Sequence, residues 1–198
     1  MTAPRRSIAR ADIMSMAEYG LIRRDQRRRM AEIKRNRRVE VGPYATFYFE
    51  NYDTMWHQVH EMLFVEKGGE DQIQGELDAY NPLIPDGSEL VATVMFEIAD
   101  AKRRSAALNA IGGIENHMLL SVGGDIIRGA PDETRDNTSP EGKASSVQFV
   151  RFALTADQKH RIAATAEPVL LGFDHPHYGH LAMMPASVRQ SVGADLCV

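Results

Sequence analysis

Two short stretches of the chain concentrate side chains able to bind a metal or move a proton. In TMWHQVHEML, Thr54 to Leu63, His57, His60 and Glu61 are spaced three and four residues apart. On a helix those spacings bring side chains to one face, so the three could converge on a common centre. Imidazole nitrogen with carboxylate oxygen suits Zn, Fe(II) or Mn, and three protein ligands leave open positions for water or substrate. The order is HxxHE, which is neither the HExxH zinc-protease pattern nor its HxxEH inversion. The competing reading is the wet edge of an amphipathic helix, because Met55, Val59, Met62 and Leu63 must supply its core stripe.

The second stretch is GFDHPHYGH, where His175, His177 and His180 follow Asp174 within six residues. An irregular, proline-containing strand exit lets side chains converge, and five of the seven histidines fall in these two stretches. The expectation is a metal site in which His57, His60 and Glu61 meet His180, with His175 or His177 beside it. The plain alternative is a surface turn anchored by Tyr178. His117 and His160 are read as a strand-face residue and a solvated helical one.

Other chemistries lack support. No GxSxG elbow, P-loop or GxGxxG occurs. The single cysteine, Cys197, excludes an intrachain disulfide framework, a zinc ribbon and an iron–sulfur cluster ligated by cysteines of this chain alone.

The elements that must position these residues are readable from periodicity. IARADIMSMAEYGLI has helical spacing, and a second, mostly polar helix is expected over 25–36. RVEVG and YATFYFEN alternate as two strands joined at Gly42-Pro43. A helix begins at a cap, Asp53 or Thr54, and runs to about Glu66 before Gly68-Gly69; another covers 71–80. SELVATVMFEIAD is a strand and AKRRSAALNAIG a short helix, and HMLLSVGG with DIIRG forms a hairpin. Residues 130–145 are polar and rich in turn formers, hence a surface loop. SVQFVRFAL is a strand, TADQKHRIAATA a helix and EPVLLGFD a strand. LAMMPA adds a short strand, and PASVRQSVGADL closes the chain as a helix. This order predicts a single α+β domain with a mainly antiparallel sheet and flanking helices.

At 198 residues, with 43% hydrophobic and 25% charged, the chain needs no metal or disulfide merely to fold. No run is apolar enough to span a membrane and no secretory core is present, so a cytoplasmic protein is expected. The net charge of −4 is uneven: residues 1–38 carry twelve Lys and Arg against four Asp and Glu, and the rest is acidic. Such a basic helical segment suits an acidic partner or its own acidic body. Nucleic acid is disfavoured, because no aromatics are interleaved with the arginines for base stacking.

Taken in order, RNRRVEVGP, FENYDTMWHQVHEML, GELDAYNPLIP, SELVATVMFEI, KASSVQFVRF and DHPHYGH resemble an uncharacterised bacterial family, DUF3501, in its proteobacterial form. The resemblance covers nearly the whole chain. Other members replace the first histidines while keeping the equivalents of Gln58, Glu61 and Met62, which argues against His57 and His60 as universal catalytic groups. The family's genes are often found beside those for rubrerythrin and an iron–sulfur oxidoreductase, which implies a redox, peroxide or iron-handling role with a protein partner. Three functions are therefore open. One is a metal-binding accessory protein of a redox system, with Zn or Fe; another is a metal-free module that docks the oxidoreductase through its basic helices. The third and weakest is a metal-dependent hydrolase with Glu61 or Asp174 as base.

Overall fold

The computed structural model describes residues 5–164 and 167–197. The α+β class and the antiparallel pairing expected from the sequence are both observed, with every strand pair antiparallel. The chain divides into two compact units, residues 1–36 with 50–86, and residues 37–49 with 87–198.

The first unit is helical. A turn of 3-10 helix at Arg10–Asp12 precedes α1, Met16–Arg35, and α2 and α3 follow at Tyr52–Glu66 and Glu70–Tyr80. In place of the two N-terminal helices that the pattern predicts, one continuous helix runs across Gly20 and Asp25. Its start is fixed by a reciprocal capping box, Ser15 accepting from the Glu18 N–H and Glu18 accepting from the Ser15 N–H. Asp12 caps no following helix but accepts from the Ala9 N–H. The α2 cap lies two or three residues before the expected Asp53 or Thr54. Asn51 is the N-cap, its side chain accepting from the Thr54 N–H, and Thr54 returns the bond as the third helical residue. Lys67, in the left-handed conformation at φ 57°, ends the helix just before the two glycines.

The second unit is built from two sheets around one core. The first sheet has the order β1 (Arg38–Val41), β2 (Ala45–Phe49), β3 (Glu89–Phe96), β7 (Val147–Ala153) and β6 (Ala130–Pro131). The second has β5 (Asp125–Arg128), β4 (Met118–Val122), β8 (Val169–His175) and β9 (Tyr178–Met183). Phe47, Val94, Val150 and Phe152 of the first sheet and Leu120, Leu171 and Phe173 of the second bury their side chains in the same core. Helices α4 (Ala101–Ala110), α5 (Ala156–Ala164) and α6 (Ala186–Gly193) complete this unit. The expected end of α5 at 165–166 lies outside the described residues.

The 130–145 segment is not wholly loop: Ala130–Pro131 adds a short edge strand, and Thr138 bridges to Ala144. Asp174 to His180 is not an irregular strand exit but a regular hairpin, with His175 paired to Tyr178 and Phe173 paired to His180. Proline at position 176 is accommodated because it sits in the turn, where no ladder donor is needed.

Candidate functional site

His60 shows how the first cluster is used. It lies on the buried face of α2, fully excluded from solvent, against the rings of Trp56 and Tyr19. The Met14 N–H donates to its Nε2 at 3.1 Å, so Nε2 carries no proton, and Nδ1–H donates to the Trp56 carbonyl at 2.7 Å. Both nitrogens are engaged, and burial holds the ring below the usual histidine pKa, in its neutral form.

His57 and Glu61 meet through Tyr19 of α1. The Tyr19 hydroxyl donates to Glu61 Oε1 at 2.8 Å. It lies 3.2 Å from His57 Nδ1, which with the phenol proton already given to Glu61 is the donor of that second bond. Glu61 also takes a two-point fork from Arg23, Nε to Oε1 and Nη2 to Oε2, each at 2.9 Å. The guanidinium bonds, followed by the Tyr19 bond, hold the Glu61 carboxyl below the usual glutamate range. Burial, then the Glu61 carboxylate, pushes the Tyr19 phenol well above the usual tyrosine range. Burial also lowers the pKa of His57. Glu61 is thus an ionised anchor for a tyrosine and an arginine. Neither Tyr19 nor Arg23 was singled out in the sequence, although their spacing of four on α1 is the signal that they share a face.

Arg23 opens onto a different surface. Residues 20, 23, 24, 27 and 28 fall on one side of α1, and with Phe64 of α2 they line an open cleft of about 500 Å³. Arg23 stacks on Phe64 at 4.6 Å from the ring centroid, which fixes the guanidinium at the cleft wall. Gly20 keeps the floor low, since a Cβ there would stand 3.2 Å from the Phe64 ring. Arg24 and Arg28 reach Asp25 only loosely, at 3.7 and 3.8 Å, and Arg27 makes no ion pair among the described residues. Leu21, beside the cleft, is 86% exposed, and Val65, next to Phe64, is 62% exposed. The basic run does not continue as one surface. Arg37 is buried, donating to the Phe49 and Ser191 carbonyls and pairing with Asp195 at 2.5 Å.

In the second unit the hairpin histidines have separate tasks. His175 is buried, its Nδ1 accepting from the His177 N–H at 3.2 Å and its Nε2–H donating to the Gly112 carbonyl at 3.3 Å. His180 packs over the Gly42 turn and the Tyr178 ring. His177 is exposed at the hairpin turn. His117, read from the sequence as a strand-face residue, instead faces the hairpin: its Nδ1 lies 3.0 Å from Asp174 Oδ1, and its ring meets His175 edge-on at 4.9 Å. Arg128 also pairs with Asp174, and the arginine, with His117 adding to it, holds that carboxyl below the usual aspartate range. Among the described residues, no group of three or more His, Cys, Asp or Glu side chains is arranged to hold a metal ion.

Fold and surface together define an α+β protein with a helical, arginine-faced unit and a two-sheet unit. The chain belongs to the family described as protein of unknown function, DUF3501, which matches residues 7–196. It is similar to a novel protein of unknown function from Burkholderia pseudomallei, whose crystal structure superposes with a TM-score of 0.89 at 36% identity, covering 96% of this chain and 100% of that one. No curated protein matches the chain. Among the described residues, no helix is long and apolar enough to cross a membrane.

Proposed function

We propose that the protein is a docking module whose working surface is the arginine face of α1, and that its partner is an acidic protein surface. The observation that carries this reading is the combination of Arg24, Arg27 and Arg28, exposed and without firm ion pairs, around one cleft with Phe64, with exposed Leu21 on the same helix and exposed Val65 next to Phe64 in the chain. Arginine is enriched at protein-binding patches, and the exposed Leu21 and Val65 add apolar area to the same helix pair. Charge complementarity makes the partner acidic, and the family resemblance supplies its kind: an iron–sulfur oxidoreductase or rubrerythrin of a redox system. The metal reading has less support, since His60, Glu61 and His175 are committed to hydrogen bonds within the protein.

The test is a binding assay between the full chain and the purified neighbouring oxidoreductase, with Arg24→Glu and Arg28→Glu combined. Loss of binding of about tenfold or more in the variant, with Arg35→Glu unchanged, is the expected result. Equal binding by all three proteins, or no binding by the wild type at moderate salt, would overturn the reading.

A further inference from the structure

We infer that the cleft between α1 and Phe64 is a binding site for a small ligand carrying two or three linked phosphoryl groups. The inference extends the docking reading by giving the same arginine face a ligand of its own, but its test needs no protein partner.

Four guanidinium groups and no carboxylate line the cleft. One of them, Arg23, is held from two sides, by the fork to Glu61, which Tyr19 in turn fixes, and by Phe64 behind the guanidinium plane. Its charge is balanced by Glu61, so it serves as a rigid wall. Among the described residues, Arg24, Arg27 and Arg28 have a single carboxylate near them, Asp25, which Arg24 and Arg28 share at 3.7 and 3.8 Å, so the three carry excess positive charge. A planar guanidinium presents paired N–H donors that match two oxygens of a phosphoryl group, and several such forks around one cleft select an ion with several such groups.

Size decides between a small polyphosphate and a nucleic-acid strand. From Arg23 to Arg28 the helix rises about 7.5 Å, the reach of a short phosphoanhydride chain. A nucleic-acid strand repeats its charge every ~3.4 Å over many nucleotides and is bound along a basic track with stacking platforms. Here Phe64 is the one aromatic ring at the cleft, and Arg23 already lies over it. A cleft of about 500 Å³ is in the range of small-molecule sites, and Gly20 keeps it open where any larger residue would crowd Phe64.

The experiment is calorimetric titration of the full chain with inorganic pyrophosphate, repeated with ATP, orthophosphate and a short single-stranded RNA. The expected result is saturable binding of pyrophosphate and ATP, tighter than that of orthophosphate. Arg27→Glu with Arg28→Glu should weaken it by about tenfold or more, as losing charge-assisted bonds demands. Lysine at both positions should restore only part of it, because the charge returns without the fork. Arg35→Glu, on the last turn of α1 and outside the cleft, should leave it unchanged. Absence of saturable binding would overturn the inference, as would equal loss from the cleft and Arg35 variants. RNA binding tighter than pyrophosphate would replace it with a nucleic-acid surface. A protein that binds its partner but not pyrophosphate would sink this inference and leave the docking reading standing.

Discussion

His60 is a buried ring with a single tautomer available to it, and that has a thermodynamic consequence. Protonating Nε2 would break the bond from the Met14 N–H and place a charge where no solvent reaches. Its folded pKa is lowered, so the unfolded chain takes up a proton that the folded chain refuses. The stability this contributes is full above the ordinary histidine value of 6.5 and declines as pH falls through it. His57 and His175 are lowered by burial too and act in the same direction. Chemical denaturation across this range should show stability falling as pH drops below 6.5, with a shallower fall in His60→Phe. A wild-type curve flat through that interval would count against a neutral buried ring. The identity of these residues was plain in the sequence, but their hydrogen bonds were not. Helical spacing puts His57, His60 and Glu61 on neighbouring faces of α2, yet apart from the Trp56 carbonyl their partners come from residues 14, 19 and 23, and no local pattern names a partner so far along the chain.

At the level of elements, local chemistry decides where helices begin. Asn51 and Thr54 satisfy each other's backbone donors at the start of α2, and the helix they start carries all three candidate residues. Asn51→Ala should cost about 1 kcal/mol, the usual worth of an N-cap, read as a lowered urea midpoint with unchanged slope. Strand and helix types were legible because alternation and helical periodicity were clean from RVEVG through SVQFVRFAL. Boundaries are least legible where several polar residues compete for one role, as Asn51, Asp53 and Thr54 do for the cap. The N-terminal split failed for another reason. Asp25 resembles a helix start in isolation, but α1 runs through it unbroken, and Gly20 sits inside the same helix at a cost of only about 1 kcal/mol where a larger residue would crowd Phe64.

At the scale of the molecule, most of the buried hydrophobic residues belong to the two-sheet unit, although Tyr19 of α1 is fully enclosed too. Phe47, Phe152, Phe173 and Leu120 are fully or almost fully excluded from solvent. Hydrogen exchange should therefore be slowest in β3, β7, β4 and β8, and faster along α1, whose buried residues are Tyr19 and Met30. Protection along α1 equal to that of β3 would contradict this. The α+β class could be foreseen from the order of elements, whereas the division into two sheets could not. Each strand has two edges, and alternation says which face is buried but not which neighbour lies beside it.

Tyr178 binds the first hairpin to the last. Its hydroxyl donates to the Val41 carbonyl at 2.7 Å and accepts from the Ala45 N–H at 3.1 Å, across a separation of 137 residues to Val41. Between these partners the chain leaves to form residues 50–86 of the helical unit and then returns. On a ribosome, β1 and β2 would emerge early and wait for nearly the rest of the sequence before their turn could be clasped. The closing of that clasp is a late event by construction, and contacts so distant along the chain slow folding. Truncation just before the final hairpin would leave the oldest strands of the sheet with their turn unfastened.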